Sequence, residues 1–217
     1  MTLIEILCIA MGLAVSYLIG SMTPSIWIGR IFYNVDVRTK GSKNAGTTNT
    51  IRVLGPKAGI IVFIIDVLKG CLALYLSNLF VAAFLDDTPL EIFNIISAAC
   101  VVLGHVFPIY EGFKGGKGVA TMLGVLIYLY SEIFWILLLI FIIVFIIWRY
   151  ISLGSITAAI AFPITYYIYS VYWAKDMDPI LFIFAIVVAI FIVITHRNNI
   201  KRLAKGEEKK FKFKKTE

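Results

Sequence analysis

The sequence predicts an all-α polytopic membrane protein, a bundle of about seven transmembrane helices. Three observations carry that fold class. Apolar residues fill 60% of the 217 positions, charged residues only 15%, and the mean hydropathy is +0.93. Uninterrupted apolar runs recur along the chain, such as IFWILLLIFIIVFIIW at 133–148 and ILFIFAIVVAIFIVIT at 180–195. Basic residues gather in alternate connections. A soluble domain cannot bury that many fully apolar segments, whereas a bilayer solvates them directly.

In chain order the expected spans are 3–21, 58–80, 91–107, 118–131, 133–148, 152–173 and 179–195. The first begins without the basic stretch of a signal peptide and lacks a small-x-small cleavage pattern, so it reads as a retained span. The second carries Asp66 and Lys69 one turn apart, where mutual neutralisation lowers the cost of immersion. The fourth is short, and only Ser131 and Glu132 separate it from the fifth. Pro163 falls within the sixth and is expected to kink it, which helical bundles tolerate. Cys8, Cys71 and Cys100 all lie in apolar runs without CxxC spacing and read as small packing residues.

Charge orients the bundle. Every Lys and Arg except Lys69 and Lys175 falls in 30–57, 108–117, 149–151 or 196–217, the connections that share one face. The other face receives Asp86, Asp87, Glu132, Lys175, Asp176 and Asp178. The positive-inside rule then places the amino terminus outside and the carboxyl terminus in the cytoplasm. The expected layout is one integral-membrane domain over 1–204 and a basic cytoplasmic tail, KGEEKKFKFKKTE, over 205–217. That tail reads as loosely attracted to anionic lipid and dispensable in detergent, at about 1 kcal/mol per basic residue near the surface. No nucleic-acid motif accompanies it, so no nucleic-acid partner is expected.

Two dense polar loops interrupt this apolar chain. In DVRTKGSKNAGTTNTIRVLGPKAG (36–59), Ser42, Asn44, Thr48 and Asn49 stand among glycines, with Arg52 after them. Glycines let successive N–H groups face one anion, hydroxyls and amides add donors, and a guanidinium fork suits phosphate. In GHVFPIYEGFKGGKGVAT (104–121), four glycines occupy 112–118 together with Lys114 and Lys117, and the stretch runs into a helix start. It fits neither nucleotide-loop spacing, yet Gly115, Gly116 and Gly118 with the two lysines read as a backbone cradle at a helix N-terminus. On the same face lie Arg149, Ser152 and the pair His196 and Asn199. These features are expected to converge on one cationic pocket beside hydrocarbon, suited to a ligand with a phosphate at one end and an acyl chain at the other.

Some chemistry is excluded. His105 is followed at the fifth position by Tyr110, and His196 by Lys201, so the H-x-x-x-x-D dyad of soluble-type acyl-CoA acyltransferases is not present. No carboxylate cluster suggests a metal pair, and no G-x-S-x-G elbow suggests a serine hydrolase. A reaction here calls for a donor that is already activated. The competing class is a transporter for a phosphorylated solute, for which Asp66 and Lys69 would line a path.

The motifs DVRTKGSKNAGTTNTIRVLG (36–55), DVLKG (66–70), GHVFPIYEGFKGGKGVAT (104–121), RYISLGSI (149–156) and HRNNIKRLAKGEEKKF (196–211) resemble those of the bacterial acyl-phosphate-dependent glycerol-3-phosphate acyltransferases. The resemblance covers nearly the whole chain; Lys43 replaces the usual glycine. It implies an inner-membrane enzyme with its site on the cytoplasmic face and no cofactor or metal. Such an enzyme moves a fatty acyl group from acyl phosphate to the sn-1 hydroxyl of glycerol 3-phosphate, giving lysophosphatidic acid. It also implies supply of acyl phosphate by a soluble enzyme. Carried over by motif, Ser42, Arg52, His196 and Asn199 are the expected catalytic residues. Asn44, Thr48, Asn49, Lys114, Gly115, Gly116, Lys117, Gly118, Arg149 and Ser152 are the expected substrate and phosphate contacts.

Overall fold

The computed structural model describes residues 2–82 and 90–211, and among these every regular element is helical. Asp86 and Asp87, assigned above to the outer face, and the last six residues of the tail lie outside the described residues. All seven expected segments are helices: α1 (Leu3–Ser21), α4 (Pro56–Ala82), α5 (Leu90–Val106), α6 (Val119–Leu129), α7 (Ser131–Trp148), α8 (Ile151–Tyr169) and α9 (Pro179–Thr195). Three short helices join them, α2 (Pro24–Tyr33), α3 (Thr47–Leu54) and α10 (Arg197–Ala204). The sequence reading left these three as loop or span end, because each is brief and only partly apolar.

The helices differ in what they can cross. Leu3–Ser21, Pro56–Ala82, Glu91–Glu111, Ser131–Trp148 and Ile151–Ala174 are each long and apolar enough to span a membrane. A sixth segment pairs α9 with α10 across a 61° bend at His196. Helix α6 has 11 residues, about 16 Å of rise, roughly half of the hydrocarbon thickness. Large side chains such as Leu3, Trp135, Ile146 and Ile160 point outward, as expected where lipid is the solvent.

The chain divides into two compact units, Met1–Leu129 and Tyr130–Glu217. In the first, α5 and α4 pack on α1, and α6 on α4. Glycine permits the close approaches: a Cβ on Gly104 would strike the Tyr17 carbonyl, and one on Gly124 the Val67 carbonyl. Small residues at crossings let helix backbones meet where lipid gives no hydrophobic drive to association. Tyr17 then ties α1 to the end of α5, its hydroxyl donating to the Phe107 carbonyl at 2.7 Å.

In the second unit α8 packs on both α7 and α9. Asp178 caps α9 by accepting from the N–H groups of Ile180 and Leu181 at 2.7 and 3.3 Å. Tyr130, Phe162 and Tyr166 form an edge-to-face aromatic cluster at that end. At the other end the chain past α10 folds back. Glu208 is buried and accepts from Ser152 Oγ at 3.0 Å, Asn199 Nδ2 at 2.8 Å and Arg202 Nε at 2.6 Å. The Phe211 N–H donates to the Arg149 carbonyl at 2.8 Å, and its ring packs edge-on against Phe145.

This corrects the picture of a loose tail. Lys205–Phe211 docks on its own unit, because a carboxylate with three donors within reach gains more from them than from water. Burial alone would push the Glu208 carboxyl up, but the donors of Arg202, Asn199 and Ser152 outweigh it and hold the group below its ordinary value. Glu208→Ala leaves two buried donors without an acceptor, at about 1–3 kcal/mol each. A fall of several degrees in detergent Tm is expected, measured by thermal unfolding. The pH sign follows from the depressed value. The advantage of the native chain over Glu208→Gln is complete above pH 4.5, the ordinary value, and disappears as pH falls through the lower folded one.

Candidate functional site

The first polar loop is shaped from within. Asp36 accepts from Arg38 N at 2.9 Å and opens a single 3₁₀ turn, Val37–Thr39. Asn49 on α3 is fully buried, and its Nδ2 donates to the carbonyls of Val37 and Lys40 at 2.7 and 3.2 Å. Its Oδ1 accepts from Ser42 N at 2.7 Å. Both amide protons are therefore engaged by backbone, so Asn49, expected as a phosphate contact, winds the loop. Ser42 and Arg52 are exposed, while Asn44 and Thr48 are half-buried. Beneath them Ala45 packs with Ile26 and Val37.

The second loop is fastened to the first by charge. Arg38 donates through Nη1 to the carbonyls of Glu111 and Lys114, at 2.9 and 3.2 Å. Its Nη2 lies 2.8 Å from Asp36 Oδ2 and 3.2 Å from Glu111 Oε2. Arg30 pairs with the same two carboxylates at 2.9 and 3.0 Å, and Trp27 Nε1 donates to Glu111 at 3.1 Å. The hydrogen bond from Arg38 holds Asp36 well below the carboxylate range despite partial burial. None of Trp27, Arg30, Asp36, Arg38 and Glu111 was singled out from the sequence. Each reads there as an ordinary loop charge or ring; only distance reveals the network.

The glycine stretch also departs from expectation. Gly115 N–H donates to the Val106 carbonyl and Gly116 N–H to that of His105, both at 3.1 Å. These donors satisfy the carbonyls at the end of α5, which a helix C-terminus leaves open. The first-turn N–H groups of α6, which have no partner within their own helix, follow beside Lys117 and Gly118. Lys117 is half-buried and Lys114 exposed. Gly118 adopts φ +82°, a left-handed conformation that glycine tolerates, and turns the chain into the helix.

In the second unit His196 occupies the bend between α9 and α10 and is 3% exposed. Its Nδ1 lies 2.8 Å from the Ile192 carbonyl. A carbonyl only accepts, so Nδ1 carries the hydrogen and Nε2 presents a lone pair in the neutral ring. Asn199 and Ser152 both donate to Glu208. The Ser152 proton is thus engaged, and Glu208, which the sequence reading left in a solvated tail, fixes both side chains. Arg149 is exposed, in a left-handed conformation that ends α7. No group of three or more His, Cys, Asp and Glu able to hold a metal occurs among the described residues.

Known proteins similar to this chain carry the same kind of sequence and fold. A family model described as glycerol-3-phosphate acyltransferase matches residues 10–206. A glycerol-3-phosphate acyltransferase of Fusobacterium nucleatum is 44% identical over 202 residues, covering 93% of this chain and 97% of the relative. One from Streptococcus thermophilus is 40% identical over 196 residues, with 89% of each chain covered. Among solved structures, the integral membrane glycerol 3-phosphate acyltransferase PlsY (YgiH) in its glycerol 3-phosphate form aligns with a TM-score of 0.80. That alignment has 35% identity and covers 94% of this chain and 96% of that one. The lysophosphatidic acid form aligns with a TM-score of 0.77 at 34% identity. A multi-pass membrane protein with these loops and these relatives has one assignment: the chain belongs to the glycerol-3-phosphate acyltransferase family.

Proposed function

We propose that this protein transfers a fatty acyl group from acyl phosphate to the sn-1 hydroxyl of glycerol 3-phosphate, releasing lysophosphatidic acid and inorganic phosphate. The observation that carries the reading is the alignment over 94% of the chain with structures in glycerol 3-phosphate and lysophosphatidic acid forms. Acceptor and product of one transfer both belong to that fold. Acyl phosphate as donor follows from the resemblance of the motifs; it agrees with the absence of a dyad or nucleophile elbow from the sequence, because a mixed anhydride is already activated.

In this reading Ser42, Asn44, Thr48 and Arg52 of the first unit hold phosphate groups, with Lys117 as the nearer lysine and Lys114 the outer one. Gly118 and the first-turn N–H groups of α6 add backbone donors. In the second unit His196 contacts glycerol 3-phosphate. Asn199, fixed by Glu208, contacts the same substrate, and Arg149 supplies outer charge. The glycerol hydroxyl attacks the acyl carbonyl, donors stabilise the developing oxyanion, and the carbon–oxygen bond to phosphate breaks. The proton leaves with the phosphate. Holding two anionic substrates in register supplies much of the rate gain.

The transporter reading loses its support at Lys69, which is buried against Asp66, His105 and the Met22 carbonyl. The basic loops are assigned to the cytoplasmic side of a bacterial inner membrane, where a soluble enzyme supplies acyl phosphate.

Purified protein should release phosphate from acyl phosphate only when glycerol 3-phosphate is present, and acyl-CoA should not replace the donor. A phosphate burst without acceptor would instead indicate a covalent acyl-enzyme. Arg52→Ala should raise the KM for a phosphate-bearing substrate by about 10- to 100-fold, since a charge-assisted contact contributes about 1.5–3 kcal/mol. Steady-state kinetics checks this. Lys43→Cys should react with a membrane-impermeant thiol reagent in inverted vesicles but not in intact cells, which tests the orientation.

A further inference from the structure

One buried cluster has no part in the chemistry above. Asp66 and Lys69 on α4 and His105 at the end of α5 are 1%, 4% and 3% exposed. Lys69 Nζ lies 2.7 Å from the Met22 carbonyl, 2.8 Å from Asp66 Oδ1 and 2.9 Å from His105 Nδ1. An ammonium has protons and no lone pair, so against Lys69 the Met22 carbonyl and His105 Nδ1 accept, and Asp66 pairs with it by charge. The bond to His105 sets the imidazole tautomer: Nδ1 accepts, and the hydrogen sits on Nε2.

The far edge of that ring meets the glycine loop. A Cβ on Gly116 would collide with His105 Nε2 and lie 3.0 Å from Cδ2, with the Ala45 carbonyl at 2.9 Å. The Gly116 N–H donates to the carbonyl of the same histidine, and Gly115 N–H to the next. The loop therefore rests on His105 through backbone and side chain together, and the first polar loop touches the same point. His105 Nδ1 also lies 3.4 Å from Asp66 Oδ1, yet neutralising that carboxylate needs only Lys69. It explains neither a ring as the third partner nor a glycine where that ring ends.

We propose that His105 is a positioning residue for the 115–118 loop, held in one orientation by Lys69 and Asp66. The ring sets the height of the Gly116 backbone against Ala45, and with it the placement of Lys117 and the first turn of α6. This rests on the reading that Lys117 and that turn grip a substrate phosphate.

His105→Asn separates the two halves of the idea, because the amide oxygen can still accept from Lys69 while the space under Gly116 empties. Kinetics in detergent are measured for Lys117→Ala, His105→Asn, Gly116→Ala and the double variant Gly116→Ala/His105→Asn, each with its Tm. Lys117→Ala should raise one phosphate-substrate KM by about tenfold or more. His105→Asn should raise the same KM about fivefold, with kcat within about twofold and Tm unchanged. Gly116→Ala, which replaces no side chain of the buried cluster but presses on the His105 ring, should raise it further. In the double variant the added methyl occupies the emptied space, so the defect should be smaller than for Gly116→Ala alone. Additive defects, native kinetics in His105→Asn, or a loss of Tm without a change in KM would overturn the positioning role while leaving the phosphate reading intact. An unchanged KM in Lys117→Ala would overturn the phosphate reading and the positioning role with it.

Discussion

Hydrocarbon offers no partner to a polar group, and most features of this protein follow from that constraint. It makes every span a helix and pushes the polar chemistry to helix ends. It also demands that any charge left inside be matched within the protein. Lys69 meets the demand in full. One acceptor, the Met22 carbonyl, stands at the break between α1 and α2, where the helix ladder stops. One ammonium thus neutralises Asp66, closes an open helix end and orients His105. Four elements of the first unit meet at that side chain.

The polar loops divide into residues that turn inward and residues that face out. Asn49, Asp36, Arg38 and Glu111 bond to loop backbone or to one another, fixing a segment that has no regular structure of its own beyond single turns. Ser42, Arg52 and Lys114 remain exposed. Such an arrangement suits binding of a charged substrate, because outward donors held by a stiff framework lose little entropy when they engage a ligand. Even the glycines split this way. Gly115 and Gly116 seal the end of α5, while Gly118 turns the chain into α6.

The second unit solves the same problem with the opposite sign. There a buried carboxylate, Glu208, gathers donors from Ser152, Asn199 and Arg202. Asn199 and Ser152 belong to α10 and α8, so one acceptor joins two helices and the chain end. At the bend beside it, the Ile192 carbonyl engages the His196 Nδ1 at 2.8 Å. A substrate-facing imidazole needs such a second partner to settle its tautomer.

Composition by itself determined the seven apolar segments and their ends to within a few residues. Hydrophobic length is a local property, and the bilayer reads it directly. The motif residues were legible for the same reason: types and spacings sit in the string. Which partner each polar group chooses was not. Gly115, Gly116 and Asn49 carry the right atoms for an anion, yet helix ends and loop carbonyls lie nearer. Glu208 sits among lysines in the sequence and reads as solvated, but the turn after α10 returns it to three donors. The string records which donors and acceptors exist. Only the packing of helices, by setting distances of about 3 Å between groups remote in sequence, decides which of them meet.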